Sequence, residues 1–129
     1  MKIKTLHFYY ITILVFNLVA IFYFKTYPIT ILLTLFLPLL WFTSKCSKEL
    51  GNYLEKWDLK RYENESYYYS TLDIRYYNTL NAFGGVKTND SEELKNLYSK
   101  TKFALSYTIV SFILFIILNI SYSYLFLYK

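Results

Sequence analysis

Three long runs of uncharged residues alternate with charged segments along this chain of 129 residues. Residues 6–24, 27–43 and 103–127 contain no Lys, Arg, Asp or Glu. A helix rises about 1.5 Å per residue, so each run can cross a hydrocarbon core of about 30 Å. The pattern therefore predicts three transmembrane helices.

Two prolines shape the second of these runs. Pro28 follows the short connection Lys25-Thr26-Tyr27 and suits the first turn of a helix, so spans one and two should form an antiparallel hairpin. Pro38 lies inside the second span and cannot donate a backbone hydrogen bond, which predicts a freed carbonyl and a kink.

The segment between the second and third spans holds all of the acidic residues, and its apolar positions recur at helical spacing. One such stripe consists of Cys46, Leu50, Tyr53, Leu54 and Trp57, and the next of Tyr69, Leu72, Tyr76, Leu80 and Phe83. They predict an amphipathic continuation of span two and a second helix that ends at Gly84-Gly85. Asn89 or Asp90 is the predicted N-cap of a third helix, which continues into span three.

The predicted fold is an all-α membrane protein with three transmembrane helices and a small helical cytoplasmic insert between spans two and three. Its predicted segments are an N-terminal transmembrane hairpin (1–44), an amphipathic helical insert (45–102) and a C-terminal transmembrane helix (103–129). The insert is too short to bury a large core of its own.

Lysines beside the spans predict the orientation. Lys2, Lys4, Lys45, Lys48, Lys100 and Lys102 flank one side, whereas Lys25 and Lys129 flank the other. By the positive-inside rule the N-terminus and the insert are cytoplasmic and the C-terminus is outside. The abundance of residues with A/T-rich codons indicates a bacterial source, so we expect a multi-pass protein of the bacterial inner membrane.

Several functional classes lose support from the composition. The formal net charge of +5 comes from lysines that topology already explains, so no nucleic-acid partner is expected. Cys46 is the single cysteine, and the sequence contains no phosphate-binding loop, catalytic triad or metal-ligand spacing. We expect no enzyme, cofactor or metal site. The lack of charge inside the spans argues against ion-coupled transport.

Polar residues inside the spans are the candidate helix contacts. On span three Ala104, Thr108, Ser111, Asn119 and Tyr122 share an arc of about 80° at 100° per residue. Asn17 on span one lies at a depth from which it approaches Ser111. Such residues allow close packing and hydrogen bonding between membrane helices. The alternatives are packing within one chain and, for Asn119, pairing between copies.

The tyrosines of Tyr67-Tyr68-Tyr69 and Tyr76-Tyr77 surround Arg75 in the sequence. Tyr69, Arg75 and Tyr76 are the candidate ligand or partner surface. Arginine flanked by aromatic rings suits a small anionic ligand. Tyrosines at helical spacing also suit a small packed core, which is the stronger interpretation.

The expected function is that of a non-enzymatic membrane protein acting through self-association or partner docking by its cytoplasmic helical layer. The partners expected are the lipid bilayer and either further copies, giving a homo-oligomer, or a membrane protein. The alternative is an oligomeric pore-forming or membrane-disrupting effector, gated by a cytoplasmic signal, of the toxin or phage-defence type. Three uncharged spans need several copies to enclose water.

Overall fold

The chain is mostly helical in a computed structural model that describes residues 2–69, 71–72, 74–84 and 86–127. Its helices are α1 (Ile3–Tyr23), α2 (Ile29–Trp57), α3 (Leu59–Asn64) and α4 (Glu92–Tyr122), which continues as a π-helical turn (Ser123–Leu127). The other elements are strands β1 (Ser66–Tyr69) and β2 (Ile74–Tyr77) and a 3₁₀ helix (Thr79–Phe83).

Three of these helices, α1, α2 and α4 with its extension, are long and apolar enough to cross a membrane. This confirms the three predicted membrane helices at the level of length and composition. The chain divides into two compact units: an apolar unit of Met1–Trp41 and Ala104–Lys129, and a polar unit of Phe42–Phe103.

In the apolar unit, Pro38 changes the hydrogen bonding of the helical turn that precedes it. A π-helical stretch (Leu32–Phe36) precedes the proline, and the carbonyl oxygen of Thr34, four residues earlier, accepts a hydrogen bond from the Tyr9 hydroxyl at 2.5 Å. Proline cannot donate to that carbonyl, and water is absent from a bilayer core. The hydroxyl from α1 therefore replaces the missing backbone donor.

We expect Tyr9→Phe to destabilise the apolar unit by about 1 kcal/mol, because the Thr34 carbonyl then loses its donor. The midpoint of unfolding in mixed dodecyl sulfate micelles, followed by circular dichroism, measures the loss. Tyr23→Phe is the matched control, since the Tyr23 side chain is exposed and at the end of the same helix. Equal midpoints for the two variants would contradict this role of Tyr9.

The polar unit contains a β-hairpin where the sequence predicted a helix over residues 69–83. Strands β1 and β2 are antiparallel, with Tyr67 opposite Tyr76 and Tyr68 opposite Arg75. The prediction of an exclusively helical chain is therefore wrong here. The apolar spacing of three and four spans a turn at residues 71–72, and the aromatic and β-branched residues beside that turn favour strands.

The core of the polar unit lies between α2 and α4. It consists of Leu50, Leu54, Leu94 and Tyr98, and Tyr77 of β2 packs against it. A Cβ atom on Gly51 would lie 3.1 Å from the Cβ of Tyr77, so this glycine permits the close approach of β2 to α2. The predicted stripe on α2 is present, but its last member, Trp57, is exposed.

The N-cap of α4 differs from the prediction, whereas Gly84 ends a helical segment as predicted. The Ser91 hydroxyl, rather than Asn89 or Asp90, accepts a hydrogen bond from the Leu94 amide at the start of α4. Asp90 is engaged elsewhere, as described below. Gly84 ends the 3₁₀ helix through a bond from its amide to the Asn81 carbonyl, whereas Gly85 lies outside the described residues.

Candidate functional site

A buried arginine holds three segments of the polar unit together. Arg61 of α3 is 7% exposed, and its guanidinium donates to both carboxylate oxygens of Asp90, at 2.7 and 3.0 Å. Its Nε donates to Glu65 Oε2 at 3.0 Å. The two-pronged contact with Asp90 is the geometry in which guanidinium and carboxylate bind most strongly.

The second oxygen of Glu65 is also satisfied. Its Oε1 accepts hydrogen bonds from the hydroxyls of Tyr77, at 2.7 Å, and Tyr98, at 2.9 Å. The Arg61 guanidinium in addition lies 5.0 Å from the centre of the Tyr98 ring. One carboxylate therefore joins α3, β2 and α4.

This network shifts the pKa values of Asp90, Arg61 and Tyr77. Hydrogen bonds from Arg61 hold the pKa of Asp90 below its usual value, and hydrogen bonds to Asp90 raise the pKa of Arg61. Burial, followed by the bond to Glu65, raises the pKa of Tyr77. Asp90 and Arg61 stay charged and the Tyr77 phenol stays neutral near pH 7, so the three groups keep the hydrogen bonds that stabilise the fold.

A cleft lined by both polar and apolar groups lies beside the hairpin. It has a volume of about 610 Å³ and is lined by residues of α2 and β2, among them Lys48, Glu55 and Arg75. The Arg75 guanidinium donates to the Glu63 carbonyl at 3.2 Å and lies 5.2 Å from the centre of the Tyr68 ring. Two cations and one acid leave the cleft with a small positive charge, and binding of a small anionic ligand here stays a prediction.

The outer face of the hairpin carries exposed aromatic rings. Side chains alternate across a strand, so Tyr76 points away from the core that its neighbour Tyr77 contacts. Tyr76 and its cross-strand partner Tyr67 are 54% and 55% exposed. Leu80 and Phe83 of the following 3₁₀ helix are also exposed. We call the exposed cross-strand pair of Tyr67 and Tyr76 the hairpin surface.

The candidate surface residues inferred from the sequence all fall on the hairpin. Arg75 and Tyr76 are adjacent on β2, and both contribute to the lining of the cleft, although neighbouring side chains of a strand project to opposite faces. Tyr69 ends β1, with its backbone opposite Ile74. The structure therefore brings Arg75 and Tyr76 to one cleft.

The candidate intramembrane residues fall into two groups. Asn17, Thr108 and Ser111 are buried in the apolar unit, whereas Asn119 is exposed. Thr108 and Ser111 donate to the carbonyls of Ala104 and Tyr107, one turn earlier in their own helix. Asn119 lies at the edge of the predicted arc, and Leu118, on the other side of that arc, is buried in its place.

The partner of Asn17 is a residue that the sequence did not single out. Its side-chain amide donates to the Ile13 carbonyl and to Thr34 Oγ1, both at 2.8 Å. Thr34 is therefore the main polar contact between spans one and two, where Ser111 had been expected to approach Asn17. Pro38 signals the freed Thr34 carbonyl that Tyr9 binds, but no sequence signal marks the Thr34 hydroxyl as the partner of Asn17.

Known proteins provide no further guide to this site. No family model, curated protein or solved structure matches the chain. The functional argument therefore depends on the two units themselves.

Proposed function

We propose that this chain is a non-enzymatic, multi-pass protein of the bacterial inner membrane that acts by protein docking through its polar unit, either to further copies or to a membrane partner protein. In this proposal the N-terminus and the polar unit are cytoplasmic and the C-terminus is outside. The lysines next to the spans support that orientation.

The observation that carries the proposal is the hairpin surface. Exposed Tyr67 and Tyr76 form a cross-strand aromatic pair, and large rigid rings of this kind dominate binding energy at protein interfaces. In contrast, the buried Arg61 binds the carboxylates of Glu65 and Asp90, which are themselves partly buried. The exposed rings of the polar unit are thus available to a partner, whereas its bonded charged groups stabilise its own fold.

In-cell photo-crosslinking tests this proposal. With p-azidophenylalanine in place of Tyr76, irradiation should give a discrete adduct with the chain itself or with one membrane protein. Tyr67→Ser should remove most of that adduct, because it deletes the ring beside the probe. Leu59→Ser, an exposed position on α3 of the same unit, should leave the adduct unchanged.

The same experiment has a check on orientation. Leu80→Cys in a Cys46→Ser background should react with a membrane-permeant maleimide in intact cells and not with an impermeant one. Absence of any Tyr76 adduct would overturn the docking proposal, and labelling of residue 80 by the impermeant reagent would overturn the orientation.

A pore-forming or membrane-disrupting effector is the second candidate. An aqueous path requires the assembly of several copies. The exposed amide of Asn119 favours this candidate because such a group promotes assembly between membrane helices. Depolarisation of the membrane when the chain is expressed distinguishes this candidate, because a docking protein leaves the membrane potential intact.

A further inference from the structure

Asn119 presents an amide on the outside of the apolar unit. It lies about 12 Å from the C-terminal end of the uncharged run, at 1.5 Å per residue, and thus within the predicted hydrocarbon region. The Asn119 side chain is exposed, and it has no hydrogen-bond partner among the residues that the structure describes. Lipid tails offer neither donors nor acceptors, so an amide at this depth favours a protein partner.

The residues around Asn119 form a regular seam on α4 and its extension. Ile109, Phe112, Ile116, Asn119 and Ser123 follow one another at alternating spacings of three and four residues. The first three are between 43% and 44% exposed. This is the repeat with which two helices interlock side by side, and Asn119 occupies one of its core positions.

From these two observations we infer that Asn119 binds the Asn119 of a second copy of this chain and that the seam forms a symmetric helix pair. An amide carries both a donor and an acceptor, so two identical amides related by a two-fold axis satisfy each other. A single polar residue at a core position of such a seam also fixes the register of the two helices. The partner is thereby a second copy rather than a protein with an apolar surface.

The other polar groups of the span do not compete for this role. Thr108 and Ser111 are buried and bonded to their own helix, and Asn17 donates to Thr34 inside the unit. Asn119 is therefore the amide of the apolar unit that is placed for a partner outside the single chain. This inference rests on the self-association version of the proposed function and names the residues that produce it.

Association of the full-length protein in liposomes, measured by energy transfer between labelled copies over a range of protein-to-lipid ratios, tests the inference. Asn119→Leu should weaken association about tenfold, which corresponds to ~1.4 kcal/mol. Asn119→Gln keeps the amide and should retain most of the affinity. Tyr124→Phe removes an exposed hydroxyl five residues further along and should have no effect.

A cysteine in the seam adds a geometric readout. In a Cys46→Ser background, Ile116→Cys should form a disulfide between copies on mild oxidation, and adding Asn119→Leu should reduce its yield. Unchanged association of Asn119→Leu would overturn the inference while leaving docking through the hairpin surface intact. Failure of the wild-type chain to associate in liposomes overturns the inference, and the proposed function fails with it only if Tyr76 also gives no adduct.

Discussion

Arg61→Ala should open the polar unit, with a loss of about 3–5 kcal/mol in the free energy of unfolding, the range measured when one partner of a buried ion pair is removed. The substitution leaves the carboxylates of Glu65 and Asp90 without their cation, although their side chains are only 14% and 7% exposed. Cys46, buried in the same unit and the single cysteine, provides the readout. Its labelling by a maleimide should accelerate by two orders of magnitude or more.

Two comparisons isolate the charge effect. Lys95→Ala removes a cation from an exposed pair with Glu92, at 3.8 Å, and should cost less than about 0.5 kcal/mol. Adding Glu65→Gln and Asp90→Asn to Arg61→Ala should recover part of the loss, because the buried charges are then neutral. Labelling of Arg61→Ala at the rate of Lys95→Ala would show that the network does not stabilise the unit.

Leu54→Ala should also open the polar unit, with a loss of about 2–5 kcal/mol in the free energy of unfolding. The substitution creates a cavity, and the small core has few residues that can move to fill it. Leu54 is 0% exposed and packs with Leu50, Leu94 and Tyr98. Hydrogen exchange of the β1 and β2 amides measures the effect directly, since the hairpin docks on this core. Leu59→Ala, at a 54% exposed position, should leave exchange unchanged. Equal protection in both variants would refute this assignment of the core.

The helices were predictable because their signals are long and repeated. The uncharged runs indicate α1 and the membrane parts of α2 and α4, and the stripe from Cys46 to Leu54 predicts the buried face of α2 beyond the membrane. These elements depend on local periodicity and length, which one sequence displays in full. The orientation and the assembly of the chain stay predictions.

Contacts between distant residues were the part that could not be predicted. Arg61 and Asp90 are 29 residues apart, and Glu65 and Tyr98 are 33 apart, so no periodic pattern links them. The hairpin was missed because its tyrosines also fit a helical spacing, and only pairing with the opposite strand resolves that ambiguity. Likewise, Asn17 binds the hydroxyl of Thr34, 17 residues away on the next helix, and no periodic pattern links the two.

The bonds of Glu65 also bear on how the chain is made. Synthesis proceeds from the N-terminus, so Arg61 and Glu65 emerge from the ribosome well before Asp90 and Tyr98, the residues that complete their hydrogen bonds. Residues 66–89 are therefore translated while the side chains of Arg61 and Glu65 are still hydrated. The hydrogen-bond network of the polar unit can therefore close only after the first turns of α4 have been made.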